Sequence, residues 1–578
     1  MARTHRTHAP AAAGLLLLLL GIVTAAAPWP RGEQVPAASQ GPPPAGVQRD
    51  DDPGTLTPAA PHEPRINGPA LYGVRPGRPF LYRIPATGDR PVQFSIQGLP
   101  AGLTLDPATG IVSGTIADQT PRAHRTTIVA ANARGRAERT FSIVVGDTLA
   151  LTPPMGWNDW YTFYEKPSDA LMRRAADIMI QSGMADHGYH YVNIDDAWMG
   201  RPRTEDPDEK LPARDERGMI NANGRFPDMQ ALTGYIHGHG LKAGIYTSPG
   251  ALTCAGFYGA WQHEAQDAAR FVQWGFDFLK YDWCSYSETP RPRPDPEMAR
   301  RQRPYRLMGG ILREQPRDIV FNLCQYGMGE VWKWGAEVGG HSWRTTGDLG
   351  LEKGERLPGF YSIGFKNAEL SEFAGPGRWN DPDYILIGWV GNAHSIEEPP
   401  KPTALTRHEQ YSYMSMWALM AAPLFYSGDI TRLDPFTLNV LNNAEVIAVD
   451  QDPLGRQGRI LRKTDDEFVL VKPIEDGSIA VGLFNLSDAR RDITVTAADL
   501  GLSGRQRVRD LWRWKDIGTI ADAYTASVGR HGVMLVRMWP AAPPRSGSTR
   551  PSASPGSSSS ARRYRTPGAS ASNGSDRT

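Results

Sequence analysis

Acidic and basic side chains recur in this sequence directly after short apolar runs. Asp195-Asp196 close the run from Tyr189, Lys280 and Asp282 the run from Phe278, and Cys324-Gln325 the run from Ile319. Arg344 ends His341–Arg344 with Asp348 four residues on, and Asp381 and Asp383 stand in Trp379-Asn-Asp-Pro-Asp. Trp157 and Tyr246 end two further runs. A single carboxylate after an apolar run is usually a helix N-cap. Several acids brought to one mouth repel one another unless a ligand or a cation answers them. Lys280 and Arg344 are the cations at hand, and carboxyl groups gathered around them suit acid–base work.

The elements that must position these groups alternate. Strand-like runs are predicted at Met155–Trp157, Tyr189–Ile194, Lys242–Tyr246, Phe278–Tyr281, Ile319–Leu323, His341–Arg344, Tyr384–Ile387 and Leu424–Tyr426. Amphipathic helices are predicted between them, at Asp169–Ser182, Trp261–Trp274, Met298–Glu314 and Gln410–Ala421. Eight strand–helix units over 150–455 are the size of a (β/α)8 TIM barrel, whose functional groups collect at the carboxyl ends of the strands. The gap from the fifth to the sixth strand is so short that its helix must be brief. Before the barrel, residues 65–147 carry alternating strands and turns such as Pro107-Ala-Thr-Gly110, which predicts a small Ig-like β-sandwich. After it, residues 456–540 return to strands, predicting a C-terminal antiparallel β-sandwich.

The ends read differently. Arg3, His5 and Arg6 precede Leu15–Leu20, and small residues run through Ala25–Ala27, so residues 1–27 read as an export signal. Export predicts a secreted or periplasmic bacterial protein with no transmembrane span once the signal is removed. Residues 28–64 are rich in Pro, Ala and Gly and are expected to be a loose linker, as is the Ser- and Arg-rich tail at 541–578. The net charge of +1 gives no basis for binding nucleic acid, whereas 16 Trp and 20 Tyr suit the apolar face of a sugar ring. Three cysteines are present, with no zinc-like spacing, and no metal or cofactor is expected.

Six segments then narrow the reading. They are Leu151-Thr-Pro-Pro-Met-Gly-Trp-Asn-Asp-Trp160, Val192-Asn-Ile-Asp-Asp-Ala-Trp198, Leu279-Lys-Tyr-Asp-Trp-Cys284, Trp343-Arg-Thr-Thr-Gly-Asp348, Ala374-Gly-Pro-Gly-Arg-Trp-Asn-Asp-Pro-Asp383 and Asp450-Gln-Asp-Pro-Leu-Gly455. In this order they resemble the α-galactosidase (melibiase) family, glycoside hydrolase family 27, over about 150–540. Gly98–Gly114 similarly resembles Ig-like domains appended to bacterial carbohydrate enzymes. The resemblance implies removal of terminal α-galactose from an oligosaccharide or polysaccharide with retention. Asp282 matches the nucleophile and Asp348 the acid/base. Retention needs two carboxyl groups about 5–5.5 Å apart. Lys280, two residues before Asp282 on the same strand face, should keep it ionised.

The same resemblance implies the remaining roles. Asp195 and Asp196 accept hydrogen bonds from the sugar's 6- and 4-hydroxyls, Trp157 packs on its apolar face, and Tyr246, Lys280 and Arg344 complete the pocket. Asp383 lies at its rim, Asp381 is structural, and Cys254 and Cys284 form a disulfide that leaves Cys324 free. Two positions depart from the family. Gln325 stands where animal members have a glutamate contacting the 2-hydroxyl, and Tyr384 replaces a common methionine just outside the sugar pocket. Gln325 and Met328 are too bulky for an acetamido group at the 2-position. A β-L-arabinopyranosidase of the same family is the nearest alternative, and a non-catalytic carbohydrate-binding barrel a distant one.

Overall fold

The computed structural model describes residues 52–349, 356–391 and 398–541. The expected export signal, the first part of the 28–64 segment and the tail beyond 541 lie outside the described residues. The central element is a ring of parallel strands: β1 (Met155–Asn158), β2 (Tyr191–Asn193), β3 (Lys242–Thr247), β4 (Phe278–Asp282), β5 (Val320–Cys324), β6 (Ser342–Arg344), β7 (Trp379–Asp381) and β8 (Leu424–Tyr426). β1 to β7 pair in parallel in chain order, and β8 pairs in parallel with β1. A parallel bridge from Ile385 to Tyr426 closes the ring, with Ile385 N donating to Phe425 O at 2.7 Å. Apart from half-buried Lys242 at the start of β3, the strand residues are buried. That is why they read as continuous apolar runs and not as alternating ones.

Helices α1 (Asp169–Gln181), α2 (Met229–Gly238), α3 (Glu264–Trp274), α4 (Glu297–Glu314), α5 (Gly359–Ala368) and α6 (Arg407–Leu419) alternate with these strands. Their starts follow ordinary capping chemistry. Ser168 accepts from Leu171 N, Asp228 accepts from Ala231 N, and Thr406 with Glu409 forms a capping box. Between β5 and β6 the described helix is one 3-10 turn, Val331–Lys333, as the short gap required.

Strand seven departs from expectation. Hydropathy points to Tyr384–Ile387, yet the strand is the more polar Trp379–Asp381. Its polar side chains are answered on both faces: on the outer face Trp343 Nε1 donates to Asn380 Oδ1 at 2.9 Å, and on the inner face Asn322 Nδ2 donates to Asp381 Oδ2 at 2.8 Å. Asp383, with φ +82°, then breaks the strand, and the apolar run beyond the kink reaches across to β8.

The Ig-like unit has a four-stranded sheet (Leu71–Val74, Gly135–Val145, Arg122–Asn132, Gln93–Gln97) facing a three-stranded one (Phe80–Arg83, Ile111–Gly114, Leu103–Leu105). Phe80, Tyr82, Phe94, Ile128 and Phe141 fill the space between. It abuts the barrel's amino-end face. Arg75 N donates to Asp318 Oδ2 at 2.9 Å just ahead of β5, and the Lys242 ammonium at the start of β3 lies 5.0 Å over the Tyr72 ring. Residues 52–64, expected to be loose, are instead tied to the barrel: Leu56 N donates to Tyr411 Oη at 2.9 Å and Thr57 Oγ1 to Asn439 O at 2.7 Å. The C-terminal unit is a six-stranded antiparallel sheet with a separate two-stranded one. Trp512 anchors it to α6, donating from Nε1 to Ser415 Oγ at 2.8 Å. The C-terminal unit also meets the segment after β6, where Arg356 Nη1 donates to Leu486 O at 2.7 Å.

Candidate active site

The carboxyl ends of the barrel strands surround a pocket whose lining includes Asp195, Asp282, Asp348 and Asp383. Asp282 is at its base. Along β4 the side chains alternate, so Lys280 and Asp282 face inward, while Tyr281 packs outward, edge-on to Tyr305 of α4. Two phenols hold the Asp282 carboxylate. Tyr246 from β3 donates to Oδ2 at 3.2 Å, and Tyr326, just beyond β5, donates to Oδ1. Burial pushes its carboxyl up to about 6, against the opposing pull of Lys280 and the Tyr326 hydrogen bond, and the charges of Asp348 and Asp195 push it further.

Lys280 favours the ionised form of Asp282, as expected, but without contacting it. Its ammonium donates to Asp195, at 2.8 Å to Oδ2 and 3.1 Å to Oδ1, and acts on Asp282 only through its field. Asp195 also accepts from Asn158 Nδ2 at 2.8 Å and from the Tyr384 hydroxyl at 3.3 Å. Tyr384 therefore lines the pocket and does not stand outside it, with its ring 5.4 Å from the Lys280 ammonium.

The opposite wall is built on Arg344 at the end of β6. One guanidinium nitrogen lies 3.0 Å from Asp348 Oδ1 and 3.0 Å from Asp383 Oδ2. Asp383, expected at the rim, is instead wholly buried and accepts further bonds from the Tyr161 hydroxyl at 2.7 Å and from Leu349 N at 3.0 Å. The Asp348 side chain is 34% exposed, at the solvent side of the same pocket. One acid is thus shielded and hydrogen-bonded, and the other faces the mouth, where a departing group would leave.

Three expected contacts fall elsewhere. Trp157 is fully buried in the barrel, with Nε1 donating to Gly428 O at 3.0 Å, and the aromatics reaching the pocket from its loop are Trp160 and Tyr161. Gln325 turns away and donates to Arg301 O at 3.1 Å, while Tyr326, with φ +58°, turns in. Asp196 lies behind the lining. Its carboxylate accepts from Ala255 N at 3.0 Å and Ala197 N at 2.7 Å, and burial raises it to about 7. It anchors the loop that carries Cys254. Cys254 and Cys284 are joined by a disulfide, and Cys324 is free and buried. Tyr326, Trp160 and Tyr161 were legible only as aromatics within three residues of a strand end.

Left-handed backbone at Ala197, Ser285, Tyr326 and Asp383 surrounds this pocket. Non-glycine residues hold that conformation only where their surroundings over-determine it, and such positions collect at functional sites.

A closed parallel barrel whose strand ends bring four carboxyl groups into one pocket, with Asp282 buried at its base and Asp348 at its solvent side, is the architecture of a glycosidase. A family model described as "Alpha galactosidase A" matches residues 152–452. Models for the "Alpha galactosidase C-terminal beta sandwich domain" and for an Ig domain match 464–538 and 63–146. Alpha-galactosidase 2 of Arabidopsis thaliana is 36% identical over 399 residues, covering 68% of this chain and 91% of its own length. Alpha-galactosidase A of Cellvibrio japonicus is 34% identical over 414 residues, 68% and 93% respectively. A solved structure from Bacteroides fragilis superposes with a TM-score of 0.74 at 34% identity, over 84% of this chain and 98% of that one. The chain belongs to the α-galactosidase (melibiase) family, glycoside hydrolase family 27.

The raised carboxyl of Asp282 has a measurable consequence. The folded protein holds this proton more tightly than the unfolded chain. The stability that Asp282 contributes is therefore complete below about pH 4 and lost as pH rises through about 6. Against the ordinary aspartate value of about 4 the difference corresponds to roughly 3 kcal/mol. Asp282→Asn is expected to raise Tm at pH 7.5, with the gain shrinking toward pH 4. Thermal melts across that range check it, and a gain independent of pH would contradict the assignment.

Proposed function

We propose that this chain is an exported exo-glycosidase that removes terminal α-D-galactose with retention. The observation carrying this reading is that Asp282 and Asp348 line one pocket from β4 and from the loop after β6. Asp282 attacks the anomeric carbon from the shielded side. Asp348 passes its proton to the departing oxygen, and water then cleaves the glycosyl–Asp282 ester, with Asp348 taking its proton. Asp195 and Asp383 are the acceptors for sugar hydroxyls. A ring epimer that fails to meet these buried carboxylates leaves them unpaired, at a cost of about 1–3 kcal/mol or more. Tyr384, Trp160 and Tyr161 supply the aromatic walls, and Asp196 acts through the Cys254 loop.

Export rests on the charged and apolar pattern of residues 1–27, and the disulfide suits an oxidising compartment. The test is a panel of p-nitrophenyl glycosides on the purified protein, with the first-formed anomer followed by proton NMR. The expected outcome is preference for the α-galactoside over the β-L-arabinopyranoside, with α-galactose appearing first. Release of β-galactose first would exclude retention. A higher kcat/KM on the arabinopyranoside would move the chain to the sister specificity.

A further inference from the structure

The disulfide touches the pocket at two informative points. Cys284 Sγ lies 3.5 Å from the Tyr246 hydroxyl, and Cys254 Sγ lies 3.6 Å from the Tyr326 hydroxyl. These are the two phenols that donate to the two oxygens of Asp282. Each sulfur of one bond therefore backs one donor of one carboxylate. A disulfide sulfur carries no hydrogen and is only a weak acceptor, so the carboxylate oxygens of Asp282 are the stronger acceptors for the two phenol protons. The bond also holds the two sulfurs together behind the two phenols.

We infer that the Cys254–Cys284 disulfide is a positioning element for the nucleophile, acting through Tyr246 and Tyr326. The inference rests on the assignment of Asp282 as nucleophile. Reduction would replace one rigid bond by two thiols that part to van der Waals distance. Each thiol can then donate to a phenol oxygen and swing independently. The loops that carry the cysteines stay joined without the bond, because Leu252 N donates to Ser285 Oγ at 2.9 Å and Ser285 Oγ donates to Leu252 O at 2.7 Å. The fold is therefore expected to survive the change. Other groups facing Asp282 are Lys280 on its own strand, Asp195 beyond β2, the Cys324 thiol on β5, Tyr305 of α4, and Arg344 with Asp348 beyond β5's neighbour β6.

Cys254 is exposed, so an external dithiol can reach it. A dithiothreitol thiolate attacks Cys254 Sγ and expels Cys284 as a thiolate. The reagent's second thiolate then attacks the mixed disulfide, releasing Cys254. Two electrons and two protons pass to the protein, and the reagent is left as its cyclic disulfide.

The experiment compares full-length oxidised, reduced and reoxidised protein with the Cys254→Ser/Cys284→Ser double variant, with near-UV circular dichroism reporting folding. Reduction is expected to lower kcat about ten- to a hundredfold while KM changes less than threefold. The acid limb of kcat/KM should move to higher pH as Asp282 loses ordered donors, and reoxidation should restore both. Tyr326→Phe is expected to move the same limb, and reducing that variant should add less than reducing the parent. A folded, reduced enzyme with unchanged kcat and acid limb would overturn the inference. So would a loss that only tracks the folded fraction and leaves the limb in place. Activity surviving in Asp282→Ala overturns the nucleophile assignment itself, a separate outcome.

Discussion

Asp282→Ala is expected to lower kcat by at least about 10⁴-fold while the protein stays folded. The size of the loss follows from where the carboxylate sits. It is nearly fully buried, and both of its oxygens are already held by phenols, so the attacking atom is aimed before substrate arrives. Water admitted to the vacated space is a poorer nucleophile, and neither Tyr246 nor Tyr326 can form the same ester. Folding should not suffer, because the substitution removes a buried charge whose protonated form the site prefers at about pH 6 and below. A small anion offers a sharper readout. Azide can occupy the space left by the carboxylate and attack the anomeric carbon from that side, giving a galactosyl azide of inverted configuration. Recovery of that product, identified by mass and NMR, would place the attacking atom at Asp282. Turnover at the parent rate would remove Asp282 from the mechanism.

The sequence made the strand ends legible because a buried parallel strand is a short, continuous apolar run with a polar stop. β2 to β6 and β8 each ended within about two residues of expectation, and the acids at 195, 282, 348 and 383 came to one pocket. What it hid was the direction of single residues in the turns. Gln325 and Tyr326 are adjacent, and a φ of +58° at Tyr326 decides which one faces the sugar side. The same holds for Trp157, whose place on β1 commits its ring to the core, while Trp160, beyond the strand, is left to line the pocket. β7 was misplaced because its polar side chains are satisfied by partners remote in sequence, Trp343 and Asn322. The seating of the Ig-like unit was equally hidden. Nothing local to Arg75 announces that Asp318, 243 residues away, will receive it.

Asp348→Ala is expected to split the two chemical steps, and the split is what identifies a general acid/base. In the free protein Asp348 is held by Arg344, which Asp383 shares from the buried side. Removing the Asp348 side chain leaves Arg344 paired with Asp383, so the pocket should keep its shape and its affinity for the sugar. A p-nitrophenolate needs no proton to depart, so the first step should remain fast. The second step needs a base for the attacking water and should slow by about 10²–10⁴-fold. The glycosyl–Asp282 ester then accumulates. The expected signature is a burst of about one equivalent of p-nitrophenol followed by a slow steady rate, with KM falling alongside kcat. For a galactoside with a sugar leaving group, which must be protonated to depart, the first step slows as well and the burst disappears. Added azide, which attacks without a base, should restore turnover on the activated substrate alone. Stopped-flow measurement on both substrates checks this. If the two substrates lose the same factor and no burst is seen on either, Asp348 serves binding and the proton must come from another group.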